Sequence, residues 1–189
     1  MTTNVPSFPM IETERLILRK VTVDDAESMM KYLSDPDVME YMGLEPFKSI
    51  ADVLGEISWY ESILSNKTGI RWGITIKEED KVIGSCGFLN IISKHYRTEI
   101  GIDLSKEHWG QGIASEAIEA VIRYGFNQMN LQRIEALIEP MNISSQKLFE
   151  QQGFIQEGLL RKYEYTRNGF DDLYMYSLLK EDIEAEGKS

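Results

Sequence analysis

A chain of 189 residues, 42% apolar and 27% charged, has the make-up of one globular domain with a full core. Its 31 acidic and 20 basic residues leave a net charge of −11, which argues against a nucleic-acid partner and fits either a plain acidic surface or attraction of a cationic substrate. One cysteine, Cys86, excludes an internal disulfide, and with only His95 and His108 no usual metal cluster can form, which leaves a carboxylate-only site open.

Residues 15–20, Arg-Leu-Ile-Leu-Arg-Lys, read as a first strand. Thr22 or Asp24 can cap a helix running to about Leu33, and Pro36 suits the first turn of a short second helix. A loop over 43–48 holds Pro46. Val53, Ile57, Tyr60 and Ile63 or Leu64 then recur at helical spacing across 50–66. Residues 70–77 alternate as a strand and residues 81–91 return as the next one. Glu-Glu-Asp between them is not a favoured two-residue turn, so a longer loop is expected. Gly84 and Gly87 point to a bulge or a close backbone approach. Cys86 between them has no visible cationic neighbour and reads as a small buried residue.

After a polar connection over 92–98 comes the stretch that organises the rest. Residues 99–104 alternate as a strand, with Ile100, Ile102 and Leu104 on one face. Gly110 and Gly112 then open a tight loop. Ile113, Ala117 and Val121 begin a helix that reaches about Asn127. A strand feeding a glycine loop and a helix aims several backbone N–H groups at one point, where the helix adds roughly half a positive charge. A phosphate suits that corner, although a glycine pair also serves as a plain turn. Neither usual nucleotide loop is present: Ser115 stands where a third glycine would complete Gly-x-Gly-x-x-Gly, and no Gly-Lys-Ser/Thr occurs there.

A strand over 132–139 stops at Pro140. Asn142 can cap a helix to Gln152, with Gly153 behind it. Two last strands, 153–166 and 170–179, join at Arg167-Asn168-Gly169, where Asn-Gly is a hairpin signal. The charged tail from Glu181 reads as frayed. There is no run of about 18 apolar residues, and residues 1–10 lack a basic region followed by an apolar stretch, so no membrane span or secretory signal is expected. A cytoplasmic protein is expected.

Trp-Gly-Gln-Gly-Ile-Ala-Ser-Glu-Ala, after Glu-Ile-Gly-Ile-Asp-Leu, resembles the acyl-CoA-binding motif of the GNAT superfamily of N-acetyltransferases. The family loop, Gln/Arg-x-x-Gly-x-Gly/Ala, falls on Trp109, Gly110, Gln111, Gly112, Ile113 and Ala114, with Trp109 in place of Gln or Arg. The Trp-Gly start and the Ser-Glu-Ala that follows are similar to the branch that acetylates the N-termini of ribosomal proteins, the RimJ/RimL type. The resemblance runs over residues 15–182. It implies a single α/β domain (α+β in some schemes) with a mixed sheet of about seven strands, helices on both faces, and fourth and fifth strands that splay to admit the pantetheine arm. The domain core is expected over 12–182, with 1–10 and 183–189 flexible.

The resemblance also implies the site. Backbone groups of Trp109, Gly110, Gln111, Gly112, Ile113, Ala114 and Ser115 would hold the diphosphate of acetyl-CoA. Ile100, Gly101 and Ile102 would pair with the pantetheine and bind the developing oxyanion. Asn142, Ser145 and Lys147 would face the same arm. Glu99 would serve as the base that takes the amine proton, usually through water. Many relatives carry a tyrosine, which protonates the departing thiolate, at the position of Phe149. Phe149 cannot do this, and the hydroxyl of Ser145 is the expected donor instead. Acceptor contacts are expected from Met39, Tyr41, Met42 and Phe47, and from Glu157, Arg161, Tyr163, Tyr165 and Asp172 on the last hairpin. Plain core packing or cross-strand pairing is the favoured explanation of the apolar and aromatic members of that set.

The expected activity is acetyl transfer from acetyl-CoA to a primary amine by direct attack in a ternary complex. No activated nucleophile is apparent for a covalent route. The acceptor implied by the branch is a protein N-terminus of the ribosomal-protein type; small amines such as amino acids, antibiotics or polyamines are the alternative. A non-catalytic acyl-CoA-binding module and a protein-interaction domain are rivals of other classes. Partners are limited to the amine substrate and at most a second copy of the chain, with no metal, nucleic acid or membrane.

Overall fold

The structure is a computed structural model that describes residues 8–186. Eight strands form one sheet in the order β1-β2-β3-β4-β5-β6-β8-β7. They are β1 (Ile11–Glu12), β2 (Leu16–Arg19), β3 (Ile70–Ile76), β4 (Glu79–Ile92), β5 (Arg97–Leu104), β6 (Arg133–Ile138), β7 (Ile155–Thr166) and β8 (Gly169–Leu179). The extra strand against the expected seven is β1. Its two residues pair with β2 at Ile11↔Leu18 and Glu12↔Ile17, too short a stretch to show alternation. Every neighbouring pair is antiparallel except β5 and β6.

Among the described residues six α-helices accompany the sheet: α1 (Ala26–Leu33), α2 (Pro36–Met39), α3 (Ile50–Ser65), α4 (Ile113–Gln128), α5 (Ile143–Gln151) and α6 (Lys180–Glu186). Their starts follow local chemistry. Ser49 and Asp52 form a reciprocal box at α3, with Asp52 Oδ2 accepting from Ser49 N at 2.9 Å. Pro36 opens α2 behind Asp35, whose Oδ1 accepts from Asp37 N at 2.9 Å. Residues 23–25 form a single 3-10 turn ahead of α1, because Asp25 folds back to accept from Thr22 N at 2.8 Å.

The sheet is covered on both faces. One core joins β2–β6 and β8 to α4 and α5 through Trp72, Phe88, Ile118, Val121, Phe149 and Tyr176. The other sets Met29, Tyr32, Val53, Ile57 and Tyr60 of α1 and α3 against Val82 of β4. Cys86 is fully buried, and burial pushes its thiol up to about 12, so it is a packing residue.

The β3–β4 turn corrects the expected longer loop. Ile76 pairs with Glu79 across Lys77-Glu78, and two irregularities sit inside the ladder, between Ile74↔Gly84 and Thr75↔Val82 and between Thr75↔Val82 and Ile76↔Glu79. A bulge next to the turn makes a short connection workable where the turn residues are ordinary. The tail expected to fray from Glu181 is instead helical through Glu186. Phe8 packs edge-on to Trp72 at 6.0 Å, and Pro9 O accepts from the Trp72 indole at 2.7 Å. The rest of the ends expected to be flexible, 1–7 and 187–189, lies outside the described residues.

Candidate active site

The site begins where two parallel strands part. β5 and β6 are paired only at Arg97↔Arg133, Thr98↔Ile134 and Glu99↔Glu135. Beyond Glu99, β5 stays with β4, through Gly101↔Gly87 and Leu104↔Gly84. β6 stays with β8 through Ala136↔Tyr176 and Ile138↔Tyr174. The strands therefore diverge, and a cleft of about 1190 Å³ opens between them. The inward edge of β5 over Ile100–Asp103 has no strand partner. Such an edge is a template for a ligand that carries amides at strand spacing.

One end of the cleft is the glycine loop. Gly110 at φ +70° and Gly112 at φ +76° hold left-handed conformations that side chains resist. Gly112 is the N-cap of α4, and no side chain caps that helix. Its first N–H groups therefore face the cleft with the positive end of the dipole behind them, which suits a diphosphate. The loop is fastened from both sides. The Trp109 indole donates to Leu104 O at 2.8 Å, tying it to β5. Arg15 donates to Gln111 O at 2.9 Å and to Glu116 Oε2 at 2.6 Å, tying it to the start of β2 and to α4. Thr13 Oγ1 donates to the other oxygen of Glu116 at 2.6 Å. Nothing in the spacing of the chain foretells the Arg15 clasp, because its members lie some hundred residues apart.

Opposite β5 stands α5. Asn142 Oδ1 accepts from Ser145 N at 3.0 Å, a helix cap in which the amide Nδ2 makes no hydrogen bond among the described residues. Ser145 Oγ makes no hydrogen bond among the described residues, and it shares the cleft wall with Lys147 and Phe149. Phe149 is buried, with its ring edge-on to Phe154 at 5.0 Å, and it has no proton to give. Gln152 Nε2 donates to Ser115 Oγ at 2.5 Å and so joins α5 to the first turn of α4.

Glu99 sits at the fork, on the last paired residue of β5. Burial raises its pKa above the ordinary carboxylate value; Asn90, which donates to Oε2 at 2.9 Å, offsets part of that rise. A carboxyl raised in this way is a better base near neutral pH than an exposed one.

The cleft brings together most of the residues expected at the cofactor end: Ile100, Gly101, Ile102, Trp109, Gly110, Gly112, Ile113, Ala114, Ser115, Asn142, Ser145 and Lys147. The Gln111 side chain points elsewhere, donating to Glu107 O at 2.8 Å. Of the expected acceptor contacts, Tyr41, Met42 and Tyr163 line the cleft. Met39 is fully buried and Phe47 packs beside it in the second core, so neither reaches the cleft. Glu157 is held by Arg133 at 2.6 Å and Ser177 at 2.7 Å, and these hydrogen bonds, that of Arg133 first, lower its pKa to about 2. Arg161, Tyr165 and Asp172 are likewise outside the lining, and Asp172 accepts from Lys162 N at 2.7 Å. All four lie on the last hairpin, where β7 is a sheet edge whose pairing with β8 is interrupted at Gln156/Gly158 and at Leu160/Glu164, so simple alternation does not set which of its side chains reach the cleft. The walls add Asp37, Glu40, Arg71, Asp103, Glu139 and Glu164, which no motif marks. Among the described residues no group of His, Cys, Asp and Glu is placed to hold a metal ion, and no helix is long and apolar enough to cross a membrane.

Residues 15–155 match the acetyltransferase (GNAT) domain model. The chain belongs to the GNAT acetyltransferase family. It is 45% identical to an uncharacterised N-acetyltransferase of Bacillus licheniformis over 170 residues, covering 90% of this chain and 96% of that protein. It is 30% identical to the ribosomal-protein-serine acetyltransferase of Escherichia coli over 116 residues, 61% of this chain and 65% of that one. Among solved structures, a GNAT-family acetyltransferase from Bacillus anthracis superposes with a TM-score of 0.81 at 30% identity, covering 92% of this chain and 99% of that one. Membership establishes an acetyl-CoA-dependent N-acetyltransferase. The ribosomal-protein branch is one among several kinds of relative.

Proposed function

We propose that the chain moves the acetyl group of acetyl-CoA to the α-amine of a protein N-terminus by direct attack in a ternary complex. The observation that carries the reading is Glu99 at the fork of β5 and β6, with its pKa raised by burial and the unpaired edge of β5 running from it to the glycine loop.

Each step then has a residue. N–H groups of the loop and of the first turn of α4 hold the diphosphate. The free edge of β5 and the amide of Asn142 align the arm. The bound co-substrate supplies the activated acyl group. Glu99, through water, accepts the proton that the amine loses as its nitrogen bonds the acyl carbon. Backbone N–H groups near Ile100–Ile102 steady the charge on the acyl oxygen. Ser145 Oγ donates a hydrogen bond to the departing sulfur, whose basicity is near that of a cysteine thiolate, pKa about 8.5, so a weak donor suffices.

Magnitudes favour an α-amine. With a pKa of about 7.7–8.0 roughly a tenth of it is neutral at pH 7, against less than a thousandth of a lysine at about 10.4. A single carboxylate acting through water is enough for the first. The similarity to the ribosomal-protein-serine enzyme supports the same choice. A polyamine is the second reading, favoured by Asp37, Glu40, Glu99, Glu139 and Glu164 around one cleft. Incubation with acetyl-CoA and either short peptides or spermidine, with products resolved by mass spectrometry, separates the two. Acetylated peptide N-termini support the proposal; acetylated spermidine with untouched peptides overturns it.

A further inference from the structure

Under the acceptor half of the cleft lies a buried polar group that the reaction above does not use. Arg71 of β3, Ser85 of β4 and Asp103 of β5 are at least nine-tenths buried on adjacent strands. Asp103 is saturated: Oδ1 accepts from Ser85 N at 2.8 Å, and Oδ2 accepts from Arg71 Nη2 at 2.5 Å and Ser85 Oγ at 2.6 Å. Ser85 Oγ in turn accepts from Arg71 Nε at 2.9 Å and lies 3.1 Å from the Tyr60 hydroxyl. The Tyr60 ring backs the guanidinium at 5.7 Å. One donor group is left over. Arg71 Nη1 makes no hydrogen bond among the described residues, and it is not among the fully enclosed unpaired atoms.

That donor faces the substrate path because residue 101 has no side chain. A Cβ on Gly101 would stand 3.2 Å from Nη1, tighter than an ordinary contact, and both residues line the cleft. An unspent donor on a buried guanidinium costs free energy unless something arrives to accept from it. Asp103 already neutralises the charge, and Glu40, Glu99, Glu139 and Glu164 ring the same cleft. A second carboxylate is unfavourable there, whereas a neutral carbonyl oxygen fits.

We propose that Arg71 Nη1 is a specificity-determining donor that accepts only substrates with a neutral carbonyl at a set distance from the amine: the carbonyl of the second residue of a peptide N-terminus. Glu99 and Gly101 lie on one face of β5 two residues apart, roughly 7 Å at strand spacing. An extended peptide covers about the same distance between its amine and that carbonyl. This assignment rests on the N-terminal acceptor reading and sharpens it.

The test is calorimetric titration of the CoA-saturated protein with trialanine amide and with n-heptylamine, which has similar length and no carbonyl, beside an acetylation assay of both. The native protein is expected to bind the peptide about 10- to 100-fold more tightly, the range for a hydrogen bond from a charged donor. Arg71→Lys retains a charge for Asp103 but not the forked donor, and it is expected to bring the two affinities to within about threefold by loss of the peptide's advantage alone. Equal binding of the two probes by the native protein, or a preference that survives in Arg71→Lys, overturns the proposal. Tighter binding of 6-aminohexanoate than of the peptide overturns it in favour of a carboxylate site. A peptide preference without acetylation of either probe leaves the recognition standing and removes the acceptor reading; acetylation of both without preference does the reverse.

Discussion

Gly112 is the position at which the cofactor corner can be tested one term at a time. Its φ of +76° is left-handed, and a Cβ there would meet only Arg15 Nη2, at 3.3 Å. A Gly112→Ala variant therefore pays mainly the left-handed penalty, about 1–2 kcal/mol. For a domain of this size that lowers the melting temperature by roughly 2–8 °C. Gly112→Glu carries the same backbone cost and adds a carboxylate at an uncapped helix start, where the diphosphate must sit. Two unit charges about 4 Å apart repel by about 4 kcal/mol at the effective dielectric of a protein surface, on the order of a thousandfold in affinity. Thermal unfolding together with calorimetric titration of acetyl-CoA separates the two effects. Both variants should melt lower by similar amounts. Affinity should fall modestly in the first and beyond detection in the second. Equal affinities for the two variants would show that loop shape, not the anion-binding corner, governs binding; native-like affinity in Gly112→Glu would refute the placement of the diphosphate altogether.

Glu99→Gln keeps an acceptor for Asn90 and removes the base, so kcat should fall by about a hundredfold and the acid limb of the pH–rate profile, set above the ordinary carboxylate pKa, should vanish; an unchanged limb would assign it to another group. The same substitution has an opposite effect on stability. The folded-state pKa of Glu99 is raised, so its protonated form is the one the fold favours, and its contribution is lost as pH rises through that folded value. At neutral pH the Gln variant should melt at or above the native temperature, and below the ordinary carboxylate pKa the gap should close; a variant that melts lower at neutral pH would contradict the sign. Ser145→Ala should lower kcat by about 2- to 10-fold, the worth of one neutral hydrogen bond, with acetyl-CoA affinity nearly unchanged. A matching loss in affinity would make Ser145 a binding residue only.

The elements that could be read from the chain are those whose physics is local. Pro36 opens α2, Asn142 caps α5, and α4 shows its apolar stripe from Ile113 onward, so these starts and helix faces appear in order. The glycine loop could be found because two left-handed residues before a helix are a local requirement. The missed features depend on long-range pairing. β1 has two residues and exists only because β2 lies beside it. Gly84 and Gly87 mark the irregular, closely approached part of β4 in the sequence, but register decides that Lys77-Glu78 alone forms the β3–β4 turn. Met39 and Glu157 were plausible by residue type, but burial took the first into the α1–α3 core and Arg133 took the second. Arg71 carries no motif at all; it lies opposite Gly87, and its place under the cleft follows from its reach to the diagonal pair Ser85 and Asp103 on the next two strands.

Direct transfer leaves no acetyl group on the enzyme at any step. The most direct measurement is the intact mass of the protein incubated with acetyl-CoA, first alone and then with a peptide bearing a free N-terminus. The expected result is an unmodified protein in both samples and a peptide heavier by one acetyl group at its α-amine. An acetylated protein that forms without peptide and discharges when peptide is added would contradict the ternary-complex mechanism.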